Sequence, residues 1–263
     1  MSQSYEIEIK SLLGSKERQQ ELRARLEALD PNFHLLEKSK RLNHYFVGGD
    51  LGGLFRRLLN RVDTAKIESF KKITTDFEEK NCSIRSKWVN PVRSSRGALN
   101  PAFAKADQHS SPWQATGRSA SNGVNGKVSL VIKAAIGEGN SVHGEARLEF
   151  DSLISGLSFE ELDQAILDVG FKYQAKWSEE REEYQFRDMR VTLDFSPGYG
   201  YMAEFEIVSN SAESIFADKA KLKATMKELG VEEVPNERIE RMFEFYNANW
   251  QDYYGTDKVF VIE

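Results

Sequence analysis

The stretch Tyr5-Glu6-Ile7-Glu8-Ile9-Lys10 sets charge against hydrocarbon at every second position, and Met202-Ala203-Glu204-Phe205-Glu206-Ile207 does the same toward the other end of the chain. In a strand, successive side chains point to opposite faces. Glu6, Glu8 and Lys10 therefore share one row while Ile7 and Ile9 share the other, and Glu204 and Glu206 stand opposite Ala203, Phe205 and Ile207 in the same way.

The pattern recurs with both signs of charge. Val128, Leu130, Ile132 and Ala134 alternate with Lys127, Ser129, Val131 and Lys133; Ala146, Leu148 and Phe150 alternate with Glu145, Arg147 and Glu149; Ile84 and Trp88 lie opposite Arg85 and Lys87. Two architectures write such strands. One is a half-buried sheet with its charges in water. The other is a closed barrel with a polar lumen and helices outside, whose inward ions cost several kcal/mol each unless acids, bases, water, metal or a polyanion neutralise them.

The chain's 263 residues suit one domain, residues 1–263, and its 40% hydrophobic content suffices for a core. A net charge of -5 argues against a broad nucleic-acid-binding face and leaves room for a local basic pocket. Cys82 is the one cysteine, so no internal disulfide or paired-cysteine zinc site can form, and it reads as a small buried residue. No basic segment leading into an apolar stretch opens the sequence and no run of 18 apolar residues occurs, which predicts a cytoplasmic protein without membrane partners. Oligomeric state is not legible.

Along the chain, an amphipathic helix is predicted near Ser15–Leu29, stopped by Asp30-Pro31. A strand follows over Leu42–Val47, then a helix over Leu51–Phe77 with Leu54, Leu58 and Val62 in register. Its Arg56, Arg57, Arg61, Lys66, Lys71 and Lys72 read as a solvated face or a partner surface. Residues 90–126, with three prolines and many serines and asparagines, show no period and read as a long flexible loop insertion. A strand over Gly144–Phe150 leads to Ser158-Phe159-Glu160-Glu161, a capping box, with Leu157 and Leu162 as its hydrophobic staple and Gly170 as the stop. Strands are predicted around Lys172–Phe186, Arg190–Asp194 and Tyr201–Ser209, then helices near Ala212–Leu229 and Asn236–Tyr253.

The Glu6-x-Glu8-x-Lys10 opening, the pair Arg85 and Lys87 ahead of Lys133, Arg147-x-Glu149, Arg181-x-x-Tyr184, Asp194 and Glu204-x-Glu206 follow one another in an order that resembles the CYTH domain of the triphosphate tunnel metalloenzymes. The resemblance spans nearly the whole chain and implies an α+β fold: an eight-stranded antiparallel barrel, polar inside, surrounded by helices. It also implies a small-molecule triphosphate as the bound partner. Holding such a tail and placing a divalent metal is most of what triphosphate hydrolysis asks of a protein. Magnesium and manganese prefer oxygen ligands, so Glu6, Glu8, Asp194, Glu204 and Glu206 are the candidates to bind Mg²⁺ or Mn²⁺. Lys10, Arg85, Lys87, Lys133, Arg147 and Arg181 are the candidates to grip phosphate.

Three residues keep open roles. Lys10 positions or activates the attacking water, or forms a structural ion pair with Glu8 or Glu206; Lys133 binds phosphate or acts as a base; Glu149 orients a base or meets a metal through water. The chain also departs from the family. Glu179 stands two positions before Arg181 where a lysine is usual, which leaves one inward base unfilled unless Lys176 reaches in across a bulge, and Ser83-Ile84-Arg85-Ser86-Lys87 replaces the usual pair of arginines. The expected activity is metal-dependent hydrolysis of a small triphosphate, inorganic triphosphate first, then thiamine or nucleoside triphosphates. The alternatives are adenylyl cyclase activity of the class IV type and a non-catalytic polyphosphate- or nucleotide-binding module.

Overall fold

The computed structural model describes residues 5–91, 126–135, 147–209 and 214–262. The strands are β1 (Tyr5–Leu12), β2 (His34–Val47), β3 (Cys82–Pro91), β4 (Lys127–Ala135), β5 (Arg147–Leu153), β6 (Lys172–Phe186), β7 (Met189–Ser196) and β8 (Gly200–Ser209). The helices are α1 (Lys16–Leu29), α2 (Leu51–Leu58), α3 (Ile67–Asp76), α4 (Phe159–Leu167), α5 (Ile215–Glu228) and α6 (Asn236–Tyr253). The sheet runs in the order β1-β8-β7-β6-β2-β3-β4-β5. The α+β class and eight antiparallel strands are as expected, but closure is not: among the described residues β1 and β5 end the order.

The chain forms two compact units. In the first, which holds the described residues up to 40, Pro91, and those from 178 onward, β1, β8, β7 and β6 pair in turn. Their apolar face carries Ile7, Ile9, Val191, Leu193, Phe205 and Ile207, and packs on Leu22 and Leu26 of α1 and on Leu222 and Met226 of α5. Each fully buried leucine here contributes about 1.5–3 kcal/mol. Ser15 starts α1 by accepting a hydrogen bond from the Arg18 amide, as an N-cap serine should. The β7–β8 turn is held by the chain's last segment: Gly198 donates to Lys258 O, and Phe260 N donates back to Gly198 O. Gly198 has φ +88°, and a Cβ there would lie 2.7 Å from Tyr246 and 2.8 Å from Phe260, so only glycine fits.

In the second unit, the described residues from 41 to 90 and from 126 to 177, β3, β4 and β5 pair in turn. Ile84, Leu130, Ile132 and Phe150 pack on Leu54, Leu58, Phe70, Ile73, Leu162 and Ile166 from α2, α3 and α4. The capping box forms as read: Ser158 Oγ accepts from Glu161 N and Glu161 returns the bond to Ser158 N. Leu157 and Leu162 join the same cluster. Cys82 is buried, which pushes its thiol up to about 11.

Some boundaries differ from the sequence reading. The stretch 51–77 is two helices, because Val62 leaves the helix to bridge Ile154 and the Arg61 carbonyl accepts from Ser155 N. Asp63 then caps the next turn by accepting from Ala65 N. Leu54, Leu58 and Val62 do share the core; Leu54 and Leu58 lie on one helix, which ends before Val62. β2 begins at His34, eight residues before the predicted start, and Asn90 and Pro91 belong to β3. Most of the predicted loop, residues 92–125, lies outside the described residues, as do residues 144–146 of the predicted fifth strand. Among the described residues no helix is long and apolar enough to cross a membrane.

Inside the second unit, buried Asp163 of α4 accepts hydrogen bonds from Ser86 Oγ and from Tyr173 OH (2.8 Å), and its Oδ2 lies 2.5 Å from His44 Nδ1. Removing this acceptor strands buried donors, each costing about 1–3 kcal/mol. Asp163→Ala is therefore expected to lose about 3 kcal/mol in urea unfolding; a loss below about 1 kcal/mol would mean that other groups satisfy these donors. Burial pushes His44 below its ordinary value, outweighing the opposing pull of Asp163. A histidine depressed in the native state binds its proton preferentially when unfolded, so this contribution is present in full above the unfolded value of 6.5 and is lost as pH falls below it. Stability measured from pH 7 to 5 should fall, and His44→Gln should flatten that slope.

Candidate functional site

Register places the first unit's charges on one face. Glu8 pairs with Glu206, and Glu206 with Arg190; Lys10 pairs with Glu204, and Glu204 with Thr192; Asp194 pairs with Arg181. Directly opposed residues of antiparallel strands share a face, so these lie opposite the helix-covered core. Arg181 is the centre of this face. It donates through Nε to Asp194 Oδ1 (2.9 Å) and through Nη2 to Asp194 Oδ2 (2.5 Å) and Glu204 Oε2 (3.0 Å). Thr192 Oγ1 also donates to Glu204 Oε2 (3.3 Å), while Lys10 lies 3.3 Å from Glu204 Oε1 and donates to Glu8. Lys10 thus pairs with Glu8, as one reading allowed, and with Glu204.

Burial sets the electrostatics. It pushes Asp194 up to about 7, with Glu179 and Glu204 acting in the same direction against Arg181. Burial works the same way on Glu204, yet Lys10 and Arg181 outweigh it and hold that carboxyl below its ordinary value. Arg181 is held firmly charged: burial opposes this, and Glu179, Asp194 and Glu204 overcome it.

The second unit carries its own charged face. Ser83 pairs with Lys133 and Lys133 with Glu149; Arg85 pairs with Val131 and Val131 with Asp151; Lys87 pairs with Ser129. Lys133 bonds Glu149 at 3.0 Å and Lys87 bonds Asp151 at 2.9 Å. Arg85 donates to the Tyr45 hydroxyl (3.0 Å) and lies over that ring. Glu149 is thus the ion-pair partner of Lys133. Arg147 pairs with Ala135 and Glu6 with Val208 in the backbone; their side chains lie outside the described residues.

Lys176 lies 3.9 Å from the Tyr173 ring, and Tyr173 packs toward α4 and bonds Asp163. Burial lowers the Lys176 ammonium below its ordinary value, against the pull of Asp163. Glu179, two positions before Arg181 on β6, shares its face, and an acid stands where the family resemblance implies a base.

Tyr45, Asp151, Thr192, Glu183 and Arg190 were not singled out in the sequence. Two had a signal: Asp151 continues Arg147-x-Glu149, and Thr192 precedes Asp194 by two. Tyr45 had none, since its role depends on β2 lying beside β3.

Among the described residues, no three His, Cys, Asp or Glu side chains gather closely enough to hold a metal ion. The acids instead turn onto bases: Asp194 onto Arg181, Glu204 onto Arg181 and Lys10, Glu8 onto Lys10. The donor set nevertheless suits a divalent cation. Carboxylate oxygens are what Mg²⁺ and Mn²⁺ take, and Glu8 stands directly opposite Glu206, two acids of one face that a divalent cation could share.

No family model matches the sequence, and no curated protein does. Solved structures match in fold. The PH1819 protein of Pyrococcus horikoshii OT3 is 18% identical, with 87% of this chain and 92% of that one covered and a TM-score of 0.51. A protein from Vibrio parahaemolyticus, named as a putative adenylate cyclase, is 11% identical, with 91% and 98% covered and a TM-score of 0.51. At such identities the likeness is one of fold alone.

If the opposed acids take a divalent ion, Mn²⁺ at a hundredfold excess over its dissociation constant should stabilise the protein by about 2.7 kcal/mol. Glu206→Gln should remove most of that gain while melting no lower than the unsubstituted protein in chelator. An undiminished Mn²⁺ shift would take Glu206 out of the metal's surroundings.

Proposed function

We propose that the protein is a divalent-metal-dependent hydrolase of a small triphosphate, with inorganic triphosphate as the first substrate. The observation that carries this reading is the distribution of charge. Among the described residues, the first unit's charged face has Glu8, Glu179, Glu183, Asp194, Glu204 and Glu206 against Lys10, Arg181 and Arg190. In the second unit, Arg85, Lys87 and Lys133 stand against Glu149 and Asp151. The acid-rich face suits a hard cation, and the base-rich face suits phosphate oxygens.

In this reading Glu8 and Glu206, with Glu6, hold Mg²⁺ or Mn²⁺, which when bound supplies charge neutralisation to the phosphate oxygens. Arg85, Lys87 and Lys133 bind the triphosphate chain, and Tyr45 fixes the direction of Arg85. Lys10, already bonded to two acids, orients the attacking water. Water oxygen bonds to the terminal phosphorus, the bridging P–O bond breaks, and the products are orthophosphate and diphosphate, with the water's proton passing to solvent or product. Such catalysis is mainly positioning and electrostatics.

A non-catalytic polyphosphate-binding module is the second reading, favoured by the acid Glu179 in place of an inward base. An assay of purified protein with Mg²⁺ or Mn²⁺ against inorganic triphosphate, thiamine triphosphate and ATP, following phosphate and cyclic AMP, separates these. Phosphate from inorganic triphosphate is the expected result. Cyclic AMP from ATP would replace this reading with the activity for which the Vibrio protein is named, and binding without turnover would favour the module.

A further inference from the structure

Arg181 was counted among the bases that grip phosphate, but its surroundings serve a different purpose. Its Nε and Nη2 are committed to three bonds with Asp194 and Glu204, and the side chain is only 18% exposed. Asp194 is buried and Glu204 is largely covered, at 16% side-chain exposure. Glu179 adds a third negative charge that acts on the same guanidinium. A phosphate brought to Arg181 would meet three acids around one base, so repulsion outweighs attraction there. Lys87 and Lys133 differ: each bonds a single acid, at 24% and 29% side-chain exposure.

The geometry points to Arg181 as a positioning residue and not a phosphate ligand. It acts as the counter-ion that fixes Glu204 and, through Glu204, the ammonium of Lys10. The fork is suited to this. A planar guanidinium binds one carboxylate through two parallel bonds and keeps donors for a second, which lets it tie β6 to both β7 and β8. With Glu204 Oε2 fixed by Arg181 and Thr192, Oε1 is left to Lys10. The ammonium is thereby held between Glu204 and Glu8. In its catalytic consequence this inference rests on the triphosphatase reading; in its structural part it does not.

Two measurements test it. The first is a thermal-melting cycle of Arg181→Met, Asp194→Asn and the double variant, in metal-free buffer. Each single change leaves a buried charge or polar group uncompensated and should lower the midpoint, while the double variant should recover most of the loss. Additive losses would overturn the inference, and if Arg181→Met does not fold, recovery in the double variant carries the same information. The second is steady-state kinetics of Arg181→Lys, which keeps the charge and loses the fork. For a positioning residue kcat should fall about tenfold or more with KM for triphosphate within about threefold. A KM raised more than about tenfold would make Arg181 a phosphate ligand and overturn the inference. If the unsubstituted protein neither binds nor hydrolyses triphosphate, the triphosphatase reading fails, and the melting cycle alone still decides whether Arg181 is the counter-ion.

Discussion

A strand that buries hydrocarbon on one side and charge on the other commits the fold to neutralising those charges. In the first unit the commitment falls on one guanidinium. Arg181 ties β6 to β7 through Asp194 and to β8 through Glu204, and these are the strands whose other side forms the core against α1 and α5. Buried ion pairs seldom gain much over apolar residues of equal size, but removing one partner is costly. The cluster is therefore better understood as fixing register and direction than as a source of net stability.

Lys10 shows what that direction is for. Its ammonium lies between Glu8 and Glu204, and Glu8 faces Glu206 across the β1–β8 ladder. A cation entering beside Glu8 and Glu206 competes with Lys10 for Glu8, whereas Glu204 stays braced from its other side. One acid of Lys10 is thus exchangeable and the other fixed. In the proposed reading that asymmetry would keep the ammonium near the acid-rich row once a metal took up part of its negative charge.

The fold was legible because the signals that specify it are local. Alternation at Ile7, Ile9, Phe205 and Ile207 placed the first and last strands, and the Ser158 capping box placed α4. The failures came where tertiary contacts overrode local preference. Val62 sits at helical spacing from Leu58 but leaves the helix for Ile154, a contact 92 residues distant in sequence. The acids and bases of the charged faces were likewise visible as residues, because charge at period two is legible without a structure. Their partners were not. Whether Arg181 meets a phosphate or two carboxylates depends on which strands are neighbours, and Tyr45 acquires its role only from the position of Arg85.

The alternation of β6 decides the character of the charged face. Since side chains alternate with a period of two, the residue two positions before Arg181 stands on the same side, and that residue is Glu179, which acts on the guanidinium together with Asp194 and Glu204. A lysine at that place would have shared Asp194 and Glu204 with Arg181 and released one guanidinium edge to a ligand. Glu179 has the opposite effect: it holds Arg181 more firmly charged and deepens the negative potential around Asp194. In the proposed reading, phosphate recognition then rests on Arg85, Lys87 and Lys133, and a single acid divides the labour that the resemblance had spread over six bases.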